Sequence, residues 1–215
     1  MKLSILMVFA GLISLNCARN DATISKDLPA GAKPGPIVRL HFASTGRFFC
    51  SGTIISNTRL LTAGHCVAAA AGFMGIAKDS IEVRSANGVV IDVAAQPLAA
   101  DDRTDQGMVS GNFTSAIKAT VVSDSKRNID LWNEASLVNC GYPFGGALFC
   151  TPVKNPKYFS FSWKAKSYLY PGMSGGPVFD KLSGLIVGIN SAAMEEYDIF
   201  ATTLEIFSNL KVSLE

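Results

Sequence analysis

The stretch Leu60-Leu61-Thr62-Ala63-Gly64-His65-Cys66 ends an apolar run on one of only two histidines in the chain, with a cysteine directly after it. A second stretch, Pro171-Gly172-Met173-Ser174-Gly175-Gly176-Pro177, sets a serine in a glycine-rich turn. A serine hydroxyl is a weak nucleophile and needs an adjacent base. Imidazole is the natural base near neutral pH. The other histidine is His41, so a His-rich metal site is excluded and any histidine chemistry must use one of these two. Taken singly, His65 reads as well as a satisfied core histidine, and Ser174 as a turn residue. Gly172-Met173-Ser174-Gly175-Gly176 also matches the G-x-S-x-G elbow of α/β-hydrolases, but there the histidine follows the serine, and none follows Ser174.

Around these stretches the chain reads as short apolar runs between turn residues. The runs are 37–43, 48–56, 58–62, 80–84, 88–95, 105–110, 117–122, 135–141, 147–153, 157–163, 176–180, 184–190 and 197–202. Many short strands separated by Gly and Pro predict an all-β barrel or sandwich. Leu204, Ile206, Phe207 and Leu210 have helical spacing and predict one short terminal helix. The 215 residues are 48% hydrophobic and 17% charged, far too apolar for a disordered chain. With 19 basic and 17 acidic residues, the balance offers no basic tract for nucleic acid.

The N-terminus reads as a targeting signal. Lys2 precedes the apolar run Leu3–Leu15, which is shorter than the roughly 20 residues a membrane span needs and fits a signal h-region. Cys17 closes it and resembles the lipidated first residue of a bacterial lipoprotein, although Ser14 and Asn16 stand where such signals carry other residues. Residues 1–17 are thus a signal peptide and 18–36, with Pro, Gly and no periodicity, a linker or tether. Removing Cys17 leaves Cys50, Cys66, Cys140 and Cys150, an even set that implies disulfides in an exported protein. Local pairing gives Cys50–Cys66 and Cys140–Cys150, with free buried thiols as the competing reading. The first pair would contribute about 3 kcal/mol on the chain-entropy model. No CxxC or His pair supports zinc.

Together the two motifs resemble those of the trypsin-like (chymotrypsin-fold) serine peptidases, over about residues 37–210. The resemblance implies two six-stranded antiparallel β-barrels over 37–215, with the short C-terminal helix. It implies a serine endopeptidase acting on protein or peptide substrates as a monomer, without cofactor or metal. His65 would be the general base and Ser174 the nucleophile, and the amides of Gly172 and Ser174 would face the oxyanion. Gly175 and Gly176 would keep bulk away from the nucleophile. Cys50 and Cys66 stand where the family places its histidine-loop disulfide. The third member must be Asp101, Asp102 or Asp105. Asp105-Gln106-Gly107-Met108-Val109 fits the family's D-x-(A/G)-x-(L/V) strand start, with Gln106 a departure, and Asp105 is assigned. Ser191 would lie beside that aspartate and border the substrate backbone.

Specificity also follows from the resemblance. Tyr168, six residues before Ser174, would form the base of the side-chain pocket, with Asn190 and Ala193 lining it. None is charged, so the pocket should favour an uncharged, small or medium residue, unless Glu195 and Glu196 fold inward. Digestive members carry an aspartate before the nucleophile, which pairs with a new N-terminal amine after cleavage. Here that position is Met173, and Pro36 precedes the N-terminus-like Ile37-Val38. In this and in Gly141-Tyr142-Pro143 the chain resembles the bacterial and viral branch that includes glutamyl endopeptidases. The rival reading is a catalytically silent homologue serving as a binding or adhesion module.

Overall fold

The computed structural model describes residues 36–73, 75, 77–120, 137–159, 162–193 and 198–202. The expected signal peptide, Cys17, the tether up to residue 35, Glu195, Glu196 and the terminal helix at 204–210 lie outside them.

Six strands form a closed antiparallel barrel in the order β1-β2-β3-β6-β5-β4. They are β1 (Ile37–Phe42), β2 (Phe48–Ile54), β3 (Arg59–Ala63), β4 (Ile81–Arg84), β5 (Val90–Asp101) and β6 (Gln106–Ser110). Period-2 patterning explains β1. Val38, Leu40 and Phe42 point into the barrel core with Ile54, Leu60, Ile81, Val83 and Val109. Ile37, on the opposite side, joins a second cluster with Val138, Cys140, Tyr142, Phe179 and Ile186. One strand thereby serves both halves of the molecule.

The second half is a seven-stranded antiparallel sheet, ordered β8-β7-β11-β12-β13-β10-β9. Its strands are β7 (Leu137–Gly141), β8 (Phe149–Pro152), β9 (Lys154–Phe159), β10 (Ser162–Lys166), β11 (Pro177–Asp180), β12 (Ile186–Ala193) and β13 (Asp198–Thr202). Alternate residues cover its two faces. Val138, Phe179 and Ile186 turn towards β1, and Leu137, Val178 and Val187 pack with Val153 and Ala165. The first barrel is as expected, whereas among the described residues the second half is not a closed six-stranded barrel. The extra strand arises because the run at 157–163 splits between β9 and β10, which pair antiparallel with each other.

One segment outside the expected runs is a helix, and one expected run forms no strand over its described residues. The apolar segment after Thr62 becomes α1 (Gly64–Ala70), which buries Gly64, Cys66, Val67 and Ala70. Those positions fall on one helical face, and three consecutive alanines favour the helix. Residues 117–120 form no strand; instead the Ala119 amide donates to Ile54 O and Thr120 O accepts from Ile186 N. No helix among the described residues is long and apolar enough to cross a membrane.

Candidate active site

His65 is the second residue of α1, and Asp105 immediately precedes β6. The β3–β6 register, Ala63 opposite Gln106, brings the two together. The His65 amide donates to Asp105 Oδ1 at 2.8 Å, and His65 Nδ1 lies 3.1 and 3.0 Å from Oδ1 and Oδ2. Asp105 adopts a left-handed backbone, φ +51°, which a short polar side chain tolerates better than most. From there its carboxylate folds back over the first turn of α1.

Ser191, on β12, donates its hydroxyl to Asp105 Oδ2. Burial alone would push the Asp105 carboxyl up. The hydrogen bond from His65, its charge, the Ser191 hydroxyl and the His65 amide outweigh burial and hold it below its ordinary value. It therefore stays ionised at neutral pH and fixes the imidazole orientation. By contrast Asp101 accepts from the Arg103 amide in the preceding turn, and Asp102 is exposed.

Ser174 lies between β10 and β11, in a turn bound to the first barrel. Ser174 O accepts from the Ser51 amide at 2.8 Å. Ser51 Oγ donates to Gly172 O at 2.7 Å and accepts from the Tyr142 amide at 3.0 Å. The two glycines after Ser174 have a reason other than the expected one. A Cβ at Gly175 (φ +81°) would lie 2.0 Å from Thr62 Oγ1 and 2.3 Å from Ser51 O, and one at Gly176 2.1 Å from Cys140 O. They let the turn press against both halves of the molecule rather than merely clearing space at the serine. The hydrogen bonds of the His65 side chain among the described residues all run to Asp105, so no direct bond joins it to Ser174 Oγ.

The turn's amides divide into two sets. Those of Met173, Gly175 and Gly176 donate to Tyr170 O, Asn190 O and Met173 O at 3.0, 2.8 and 2.9 Å. Those of Gly172 and Ser174 donate to no acceptor among the described residues. Gly172 reaches its place through φ +91°. Two amides without an acceptor among the described residues thus flank one that is engaged.

The expected side-chain pocket is not found as drawn. Tyr168 is 57% exposed and stacks on Tyr170, so it does not floor a pocket. Asn190 is fully buried, and its Nδ2 donates to Cys140 O at 2.8 Å and Met173 O at 3.2 Å rather than facing a substrate side chain. Ala193 is exposed on β12. The cause is local: β12 turns residues 186–191 inward and leaves only its end in solvent. The contacts by which Ser51, Thr62 and Tyr142 join the site are not readable from the sequence. Ser51 carried a signal, being a hydroxyl directly after Cys50 in an apolar strand.

Cys50–Cys66 and Cys140–Cys150 sit at disulfide distance, with S–S separations of 1.95 and 2.05 Å. The first ties α1 to β2; the second joins directly opposed residues of β7 and β8. Cys50, Cys66 and His65 offer donor atoms within 4.8 Å of one another, but the two sulfurs are bonded to each other. Met173 is buried, its Sδ accepting from the Tyr170 amide at 3.4 Å. Ile37 is held within β1 opposite Thr53, and Pro36 O accepts from Ile54 N.

Among solved structures, the chain is similar to the active form of the Rv3671c protease from M. tuberculosis, at 16% identity and TM-score 0.64, covering 90% of this chain and 88% of that one. It is similar to a serine endoprotease from Yersinia pestis at 20% identity and TM-score 0.60, covering 80% of this chain and 60% of that one. It is also similar to the HtrA-type protease AlgW, solved with a decapeptide, at 19% identity and TM-score 0.61, covering 80% and 62%. At these identities the likeness concerns the fold. No curated protein matches the chain. The family model of the trypsin-like peptidase domain matches residues 50–189, well over half of the sequence, and the chain belongs to that family.

Proposed function

We propose that this protein is an exported serine endopeptidase that cleaves peptide bonds through Ser174, His65 and Asp105. The observation that carries the reading is Asp105 held on His65 Nδ1, beside a serine turn whose Gly172 and Ser174 amides have no acceptor among the described residues. Ser174 Oγ attacks the scissile carbonyl carbon while His65 Nε2 takes its proton. The carbonyl oxygen becomes an oxyanion and receives the two amides. Collapse breaks the C–N bond, His65 returns the proton to the leaving amine, and an acyl ester remains on Ser174. Water, deprotonated by His65, hydrolyses that ester. Asp105 stays ionised throughout and stabilises the imidazolium.

Met173 and the built-in position of Ile37 support an enzyme that needs no N-terminal cleavage. The bacterial and viral glutamyl-endopeptidase branch is favoured only by Met173 and the Gly141-Tyr142-Pro143 turn. Cys17 is proposed as a lipid anchor, which mass analysis of membrane-extracted protein would show; a soluble mature protein starting at Arg19 would refute it.

The test of the catalytic reading is covalent labelling with a phosphonofluoridate. Labelling at Ser174, lost in Ser174→Ala, is the expected result. A folded protein that does not label is a binding module instead.

A further inference from the structure

We infer that Asn190 is a positioning residue that sets the plane of the Met173–Ser174 peptide, and with it the aim of the Ser174 amide at the oxyanion. The inference rests on the proposed serine-peptidase reading.

A peptide unit is planar, so fixing its carbonyl fixes its N–H on the opposite side. The peptide that carries the Ser174 N–H has Met173 O as its carbonyl. That oxygen accepts from the Gly176 amide at 2.9 Å and from Asn190 Nδ2 at 3.2 Å. The same Nδ2 donates to Cys140 O at 2.8 Å, on the strand that Cys150 bridges. Asn190 thus suspends the serine turn from the interior of the second sheet. The Gly172 amide is anchored in the same manner, since Pro171 O, the carbonyl of the Pro171–Gly172 peptide, accepts from the Phe144 amide at 2.8 Å.

The orientation of Asn190 is determined by these partners. Its Nδ2 faces two carbonyl oxygens, and a flip would set Oδ1 against both. Oδ1 is itself buried without a hydrogen-bond partner among the described residues. A buried, unsatisfied acceptor carries a cost. Retaining it in a wholly buried side chain fits a residue kept for what its NH2 group does. The Met173 side chain has no N–H or O–H, and the side-chain donor to Met173 O comes from Asn190. The amide donates without charge and without a free N-terminus.

The test uses the full-length protein and compares wild type with Asn190→Leu, which keeps similar volume and removes the donor. Active sites are counted by phosphonofluoridate, and kcat per counted site, KM and affinity for a peptide aldehyde are measured. The aldehyde forms a hemiacetal on Ser174 and places its oxygen at the same two amides. Loss of a whole oxyanion donor costs about 10²–10³ in kcat, and loss of its alignment should cost about tenfold to a hundredfold. The expected result is that fall in kcat per site, a parallel weakening of the aldehyde, and KM within about twofold. If Asn190→Leu does not fold, Asn190→Ala is measured in the same way. A folded variant with kcat per site and aldehyde affinity unchanged would overturn the inference while leaving the peptidase reading intact. A wild-type protein that neither labels nor turns over would overturn both.

Discussion

Ser51→Ala removes one oxygen that no solvent reaches, and its cost can be worked from the geometry. Ser51 is 0% exposed, and its hydroxyl links Gly172 O to the Tyr142 amide, joining β2 to the serine turn and to the end of β7. Two hydrogen bonds are lost, each worth about 1 kcal/mol net, and the buried Tyr142 N–H is left without an acceptor at a further cost of about 1–3 kcal/mol. The variant should be destabilised by about 3–5 kcal/mol. At about 2–4 °C per kcal/mol for a chain of this size, Tm should fall by about 6–20 °C. The Ser51 N–Ser174 O bond is backbone and survives, so the turn loosens on the Gly172 side only. Turnover of a peptide ester should therefore fall by about tenfold, with little change in KM, because a donor to the oxyanion acts in the transition state. Thermal unfolding followed by circular dichroism, with kinetics at a temperature where both proteins are folded, measures both effects. A Tm within about 1 °C of wild type would refute the network as described.

The remaining predictions concern charge and activation. Asp105→Asn should lower kcat by about 10⁴, as expected for a carboxylate that orients a catalytic imidazole, whereas Asp102→Asn should leave it near normal; the reverse pattern would misassign the triad. Because the folded Asp105 carboxyl lies below its unfolded value, its contribution to stability is present above about pH 4 and is lost as pH falls through the folded value. The acid limb of a stability–pH curve should accordingly be shallower in Asp105→Asn. Burial pushes the Tyr142 hydroxyl up to about 12, against the opposing effect of Arg39. Its folded value exceeds the unfolded one, so its contribution is complete below about pH 10 and is lost as pH rises towards the folded value. Alkaline titration followed by phenolate absorbance should show a late tyrosine that Tyr142→Phe removes. A form with several extra residues ahead of Ile37 should keep its activity, and strict dependence on a free amine at Ile37 would contradict the role given to Met173.

The sequence made most legible what is contiguous. Ile37–Phe42 and Leu60–Ala63 carry their strand signals within a few residues, and the His65 and Ser174 motifs each sit in one short stretch. The joints between halves were not legible, since Ser51 meets Gly172 across 121 residues and Tyr142 across 91. Asn190 was misread for the same reason: nothing in Gly188-Ile189-Asn190 says that its neighbours will be Cys140 O and Met173 O. Pro97 hid the length of β5. A proline inside a strand argues against pairing, yet the ladder absorbs it at an irregularity between Pro97 and Ala99. The helix after Ala63 was hidden by its composition, because an apolar run of alanine and valine continues a strand as readily as it starts a helix.

The central claim is that Ser174 is a nucleophile activated by His65, and phosphonofluoridate labelling tests it most directly. Intact-mass analysis should show one adduct per chain, mapped to Ser174, with Ser174→Ala unlabelled and His65→Ala labelled far more slowly. An adduct formed equally fast in His65→Ala, or none on the folded wild-type protein, would contradict the account.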